Sequence, residues 1–118
     1  MRHLSMKQGE VWLINLDPTV GAEIKKTRPA IIVNDNILGK LPLKIIVPLT
    51  DWKDRYDIAP WMVKISPDKD NKLSKASSAD CFQIRSVAEE RLVKRLGSVG
   101  VDTMHEIRNA LACVLNIS

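Results

Sequence analysis

The chain has 118 residues, 45% hydrophobic and 27% charged, which is the composition of a single globular domain. Its net charge of +4 and pI of about 9.2 favour polyanionic partners. Its two cysteines and two histidines lack metal-ligand spacing, and no stretch reaches the ~20 apolar residues of a membrane span. We expect one cytoplasmic domain (1–118) with a flexible leader (1–7), no metal or other cofactor, and two buried thiols, Cys81 and Cys113.

The first half of the chain predicts three short strands. They are rich in β-branched and aliphatic residues and lie at 10–16, 29–33 and 43–50. Pro29 is compatible with a strand because it stands at the first position, whereas Pro48 favours an edge or a bulge. The stretch 17–27 contains Asp17-Pro18 and Gly21, which indicate a loop.

The second half predicts three more strands between polar loops. The strands lie at 61–65, 79–87 and, after a turn, within 91–99, and the loops at 51–60 and 66–78. Trp61 opens an apolar strand and is expected in the core. The charged run KDNK at 69–72 is expected to be solvated.

The C-terminal segment changes to helical periodicity. Its apolar residues recur at Val101, Met104, Ile107, Leu111, Val114 and Leu115. Thr103 followed by Glu106 fits a capping box, so a helix is expected to begin near Thr103. Short strands, long polar loops and one closing helix together predict a mainly β fold, a small β-barrel with a C-terminal helix.

Arg28 is the first candidate for chemistry. The sequence lacks a GxSxG motif, a P-loop and an HExxH motif, so a site must work through electrostatics and positioning. Arg28 precedes Pro29, which biases its backbone to an extended conformation at the start of a strand. Its guanidinium is permanently charged and forks onto phosphate oxygens, which suits the stabilisation of developing negative charge.

Thr50 is the second candidate. It ends the third predicted strand, where its hydroxyl can meet a ligand. Because the start of one strand and the end of its antiparallel neighbour lie at the same rim of a small barrel, we expect Arg28 and Thr50 to be close. Trp52, Lys53, Arg55 and Tyr56 follow, an alternation of aromatic and basic residues typical of a surface that stacks unpaired bases.

These segments in order resemble the MazF/PemK (Kid) toxins of type II toxin–antitoxin systems. The resemblance is carried by GEVWLINLDPTVGAEIKKTRPAIIV, IIVPLT, SSADCFQIRSV and RLVKRLGSV, and runs from Gly9 into the C-terminal helix. It implies an SH3-like barrel, a homodimer, and a sequence-specific, metal-independent endoribonuclease acting on single-stranded RNA with the RNA 2′-hydroxyl as nucleophile. It also implies catalytic roles for Arg28 and Thr50, and for Glu23, which matches a loop glutamate found in some members. It further implies inhibition by a MazE-like antitoxin with an acidic segment.

One position departs from the pattern. Some relatives carry an acidic residue before the glutamine of the QIR motif, where this chain has Phe82, while Gln83 and Arg85 remain as expected RNA-binding residues. Lys25 and Lys26 are expected to guide RNA toward Arg28. The general base stays open between Glu23 and Asp51.

Two other functions are compatible with this type of fold. A CcdB-like gyrase inhibitor shares it, but those toxins resemble one another in a tryptophan-bearing C-terminal tail, and this chain ends in ACVLNIS. A non-catalytic SH3-like module for peptide or RNA would need an aromatic groove, which is difficult to build with 4% aromatic residues.

Overall fold

A computed structural model of the protein describes residues 6–117. Their regular elements are seven strands and one helix: β1 (Glu10–Asn15), β2 (Thr27–Ile32), β3 (Leu43–Asp51), β4 (Met62–Ile65), β5 (Ser77–Asp80), β6 (Arg85–Ala88), β7 (Leu92–Ser98) and α1 (Val101–Leu115). Short 3-10 turns lie at Asn36–Leu38, Asp54–Ile58, Cys81–Gln83 and Glu89–Arg91. The predicted fold class, mainly β with a C-terminal helix, is confirmed.

The strands form one antiparallel sheet. Its order is β4-β5-β3-β2-β1-β7, and β6 pairs with β3. Within residues 6–117, β4 and β7 end the path and are not paired with each other. The closed barrel that the sequence led us to expect is therefore not confirmed.

The predicted fifth strand is in fact two strands along one edge of β3. β5 pairs with the end of β3 and β6 with its beginning. Ile46 of β3 pairs with Arg85 and Leu49 pairs with Ala79, so an advance of three residues on β3 corresponds to six residues on the other chain segment. The 3-10 turn at Cys81–Gln83 accommodates the three extra residues. Pro48 lies where β3 changes partners on this edge. β3 is nevertheless a central strand and pairs with β2 in regular register at Pro48, so the predicted edge or bulge is not found there.

Hydrophobic side chains cover both faces of the sheet. On β2, Ile31 belongs to one core cluster, which includes Met104 and Ile107 of α1, whereas Ala30 and Ile32 belong to another. The split follows from the alternation of side chains along a strand. Burial on both faces fixes β2, and with it the position of the arginine at its start.

The helix begins earlier than the sequence predicted. Its N-cap is Gly100, with φ −82° and ψ 179° and no side-chain cap, so the expected capping box at Thr103 is wrong. β7 ends at Ser98, and the Val99 N–H donates to the Gly9 carbonyl (2.9 Å), which turns the chain directly into α1. Of the predicted apolar stripe, Met104 and Ile107 are buried, whereas Val101 and Leu115 are exposed.

Three smaller expectations also change. Trp61 lies outside β4, is 38% exposed and contacts the Phe82 ring edge-on, so it is not a core residue. Cys81 is buried as expected but Cys113 is exposed. The 66–78 segment is not uniformly solvated, since Asn71 is buried.

The ends of the chain add two observations. Most of the expected leader lies outside the described residues; of its last two residues, Met6 packs against the cluster that contains Ala30 and Ile32. Among residues 6–117, no helix has both the length and the apolar character needed to cross a membrane.

Candidate active site

Arg28 and Thr50 lie together at one end of the sheet. Ala30 of β2 pairs with Pro48 of β3, and the same register continued by two residues places Arg28 opposite Thr50. Both line a depression of about 390 Å³. The structure thus brings together the two residues that the strand pattern placed at a common rim.

Arg28 is held firmly at the side of this depression. Its backbone pairs with Ile14 of β1, and its half-buried side chain donates a hydrogen bond from Nε to the Lys25 carbonyl (3.0 Å). Within residues 6–117 the two outer guanidinium nitrogens make no hydrogen bond to protein. They are therefore available to an anion that enters the depression.

The depression is strongly basic. Four cationic side chains line it together with a single carboxylate: Lys26, Arg28, Lys72, Lys75 and Asp51. The Asp51 carboxylate lies 3.0 Å from the Lys75 ammonium, and both groups are largely exposed. Lys72 and Lys75 were not predicted as site residues, because a lysine and aspartate run in a polar loop indicates a solvated surface.

Glu23, Gln83 and Arg85 lie in a neighbouring depression. It has a volume of about 450 Å³ and shares no lining residue with the first. The Glu23 carboxylate accepts a hydrogen bond from the Val20 N–H (2.6 Å) within its own loop. Within one chain, the three residues expected to act with Arg28 therefore do not share its depression.

The side chains of Gln83 and Arg85 are bonded to the backbone of residues 16–24, at the start of and within the loop before β2. The Gln83 side chain accepts from the Ile24 N–H (2.6 Å) and donates to the Ala22 carbonyl (3.2 Å). Arg85 donates to the Leu16 carbonyl at 3.3 Å. The two side chains expected to touch RNA thus anchor the loop that leads into β2.

Asp80 caps the 3-10 turn that carries Gln83. Its carboxylate accepts a hydrogen bond from the Phe82 N–H (3.2 Å). Burial raises the pKa of Asp80, and the hydrogen bond from Phe82 acts against that rise. Burial also raises the pKa of the neighbouring Cys81 thiol to about 12, with the Asp80 charge adding to the effect, which makes this thiol a poor nucleophile.

Lys25 and Lys26 end the 17–26 loop. Both side chains are exposed, and only Lys26 lines the Arg28 depression. Lys26 has φ 71°, an uncommon conformation for a residue with a side chain. Its N–H donates to the Asp17 carboxylate (3.0 Å), and its carbonyl accepts from the Leu16 N–H, so the base of the loop is closed.

The predicted base-stacking residues lie elsewhere on the surface. Trp52 and Tyr56 contact each other edge-to-face, with centroids 5.9 Å apart, and line a depression against α1. The Arg55 guanidinium lies 5.3 Å from the Tyr56 ring centre, and Lys53 is exposed nearby. Trp52 follows Asp51 in the chain, yet it lines a different depression.

No cluster of three or more potential metal-ligating His, Cys, Asp or Glu side chains occurs among residues 6–117.

Residues 7–115 match the model of the PemK-like, MazF-like toxin of type II toxin–antitoxin systems. The chain belongs to this toxin family. It is 29% identical to endoribonuclease MazF9 of Mycobacterium tuberculosis over 118 residues, 95% of this chain and 98% of that protein. It is 30% identical to endoribonuclease PemK of Escherichia coli over 116 residues, 97% of this chain and 85% of that protein.

Solved structures share the fold. MazF from Deinococcus radiodurans superposes with a TM-score of 0.77 at 23% identity, covering 98% of this chain and 99% of that one. A mycobacterial endoribonuclease solved with its cognate antitoxin superposes with a TM-score of 0.76 at 23% identity, covering 97% and 98% of the two chains. The family model and the two endoribonuclease relatives confirm the resemblance inferred from the motif order.

Proposed function

We propose that this toxin is a sequence-specific endoribonuclease that cleaves single-stranded RNA without a metal ion. The observation that carries the proposal is the basic depression in which Arg28 and Thr50 face each other from neighbouring strands. Relatives that align over nearly the whole chain are named endoribonucleases, which supports the same activity.

The proposed reaction uses a nucleophile that RNA supplies itself. The 2′-oxygen attacks the adjacent phosphorus, a new P–O2′ bond forms, and the P–O5′ bond breaks. The products are a 2′,3′-cyclic phosphate and a 5′-hydroxyl, and a proton passes from the 2′-hydroxyl to a base while another reaches the departing oxygen. Arg28 neutralises the crowded phosphate, and Thr50 donates a hydrogen bond to one of its oxygens.

The geometry favours one of the two candidate bases. Asp51 lines the same depression as Arg28 and Thr50, whereas Glu23 lies in the neighbouring one with its carboxylate bonded to Val20. We therefore place the base at Asp51 and give Glu23 a role in shaping the 17–26 loop. Because DNA lacks the 2′-hydroxyl, it should bind without being cut.

The partners follow from the same function. We propose that the toxin works in the cytoplasm as a homodimer and that its sheet is an SH3-like barrel. We also propose that a MazE-like antitoxin with an acidic segment inhibits it. Exposed Lys25, Lys53 and Arg55 would attract either RNA or that segment. One solved relative is indeed a complex with its cognate antitoxin.

Primer extension on a long mixed-sequence RNA, incubated with the protein in excess EDTA, tests the activity and reports the recognised bases. We expect discrete stops at one short sequence, and none with Arg28→Ala. Intact RNA together with inhibited gyrase supercoiling would instead support the CcdB-like alternative. RNA that is bound but never cut would support a non-catalytic module.

A further inference from the structure

The 66–76 loop, which forms one wall of the Arg28 depression, is built around a buried asparagine. The Asn71 side chain is 1% exposed; its oxygen accepts from the N–H groups of Asp68 and Leu73, and its nitrogen donates to the Ser66 carbonyl. The Asp68 carboxylate in turn accepts from the N–H groups of Asp70 and Asn71 at 2.8 and 2.7 Å. These bonds give a polar loop a single conformation.

The 66–76 loop is also fastened to the sheet. The Asp70 carbonyl accepts from the Ser98 N–H (2.9 Å). At Gly97 of β7, a Cβ atom would overlap the Asp70 carbonyl oxygen and lie 2.9 Å from the Asn71 backbone. The loop therefore packs on β7 at a distance that only glycine permits.

This rigid loop presents Lys72 in an unfavourable backbone conformation. Lys72 has φ 60°, and Lys26 has φ 71°. Both are lysines that line the Arg28 depression. Left-handed conformations of residues with side chains cluster at functional sites, where the surrounding structure enforces them. Two lysines held in this conformation at one basic depression indicate an anionic ligand that contacts both side chains.

We propose that Lys72 binds a phosphate of the RNA adjacent to the scissile phosphate. The inference rests on the proposed ribonuclease function and adds a binding residue to it. Among the described residues, Lys75 is paired with Asp51, whereas Lys72 forms no ion pair. Because Arg28 and Lys72 line the same depression, an RNA strand that crosses it would place one phosphate against Arg28 and an adjacent one against Lys72.

The test compares three variants with the wild type: Lys72→Gln, Lys72→Arg and Lys69→Gln. Lys69 is the matched control, since it is exposed on the same loop, carries the same charge and does not line the depression. The probe is a cognate RNA made uncleavable by a 2′-deoxy substitution at the cut site. Its Kd is measured by titration at several salt concentrations.

We expect Lys72→Gln to weaken binding about five- to tenfold and to reduce the slope of log K against log salt by about 0.7, the value for one contact to single-stranded nucleic acid. Lys72→Arg should bind nearly as wild type, and Lys69→Gln should change Kd less than about twofold.

Equal effects of Lys72→Gln and Lys69→Gln on Kd and salt slope would overturn the assignment of Lys72, even if the wild type cleaves RNA. A wild type that binds the probe but cleaves no RNA would instead overturn the proposed ribonuclease, while the comparison of variants still decides about Lys72. Unchanged thermal melting of Lys72→Gln excludes a folding defect as the cause of weaker binding.

Discussion

The Arg28 depression and the Gln83 depression of this toxin differ in what their polar side chains already bind. Around Gln83, side chains of the type that reads RNA are bonded to the backbone of residues 16–24, which lead into and form the loop before β2. Around Arg28, Lys75 pairs with Asp51, and the other three cations of the depression form no ion pair among residues 6–117. Residue type alone makes both regions look like binding sites. From the hydrogen bonds already formed, we infer that the Arg28 depression binds RNA and that the Gln83 side chain supports the protein's own loop.

The largest effect is expected from removing the Thr50 hydroxyl. Thr50→Ala should lower the single-turnover rate of RNA cleavage by at least ~100-fold, the scale of losing one oriented donor to a transition state. Thr50→Ser, which keeps the hydroxyl, is the control and should retain most of the rate. A Thr50→Ala protein that melts normally and cleaves RNA at the wild-type rate would remove Thr50 from the active site.

A smaller loss of cleavage is expected from a substitution in the Gln83 depression. Gln83→Ala removes two bonds to the 17–26 loop, so we expect faster amide hydrogen exchange at Ile24 and a loss of cleavage of about tenfold or less. The loss arises because Lys26 and the start of β2 are held less firmly. A ~100-fold loss of rate with unchanged exchange in the loop would show that Gln83 acts on RNA directly.

The buried acid behind Gln83 predicts a pH dependence of stability. Because burial raises the pKa of Asp80 above its ordinary value of 3.8, the folded state binds its proton more readily than the unfolded state. The contribution of Asp80 to stability should therefore fall as pH rises from about 3.8 through the raised pKa. Urea denaturation at a series of pH values should show Asp80→Asn gaining stability relative to wild type over that window. A difference that is independent of pH would contradict this.

No effect is expected from chelation. We predict equal cleavage rates with and without excess EDTA, because the proposed mechanism relies on Arg28 and Thr50 and uses no metal. Activity that is lost in EDTA and restored by magnesium would contradict the metal-free mechanism and would make the basic depression a binding site only.

The strand pattern and the Arg28–Thr50 pair could be predicted because both depend on local alternation and antiparallel register. The break between β5 and β6 was missed, since the 3-10 turn depends on Asp80 and on two separate stretches of β3. The early start of α1 likewise follows from a long-range bond, between Val99 and Gly9.

Lys72 was missed for a related reason. Its run of charged residues indicates a solvated loop, and neither the buried Asn71 nor the close approach to Gly97 is visible in the local sequence. A backbone in the left-handed region is equally invisible at a lysine. Long-range contacts, rather than composition, convert this loop into a wall of the depression.

The central claim is that the Arg28 depression performs the cleavage and the Gln83 depression supports it. Single-turnover cleavage of one labelled RNA by Arg28→Ala and Arg85→Ala compares the two most directly, because each variant removes one arginine from one depression. The account predicts a loss of at least ~100-fold for Arg28→Ala at unchanged melting temperature, and about tenfold or less for Arg85→Ala. The reverse order, with Arg28→Ala close to wild type, would contradict it.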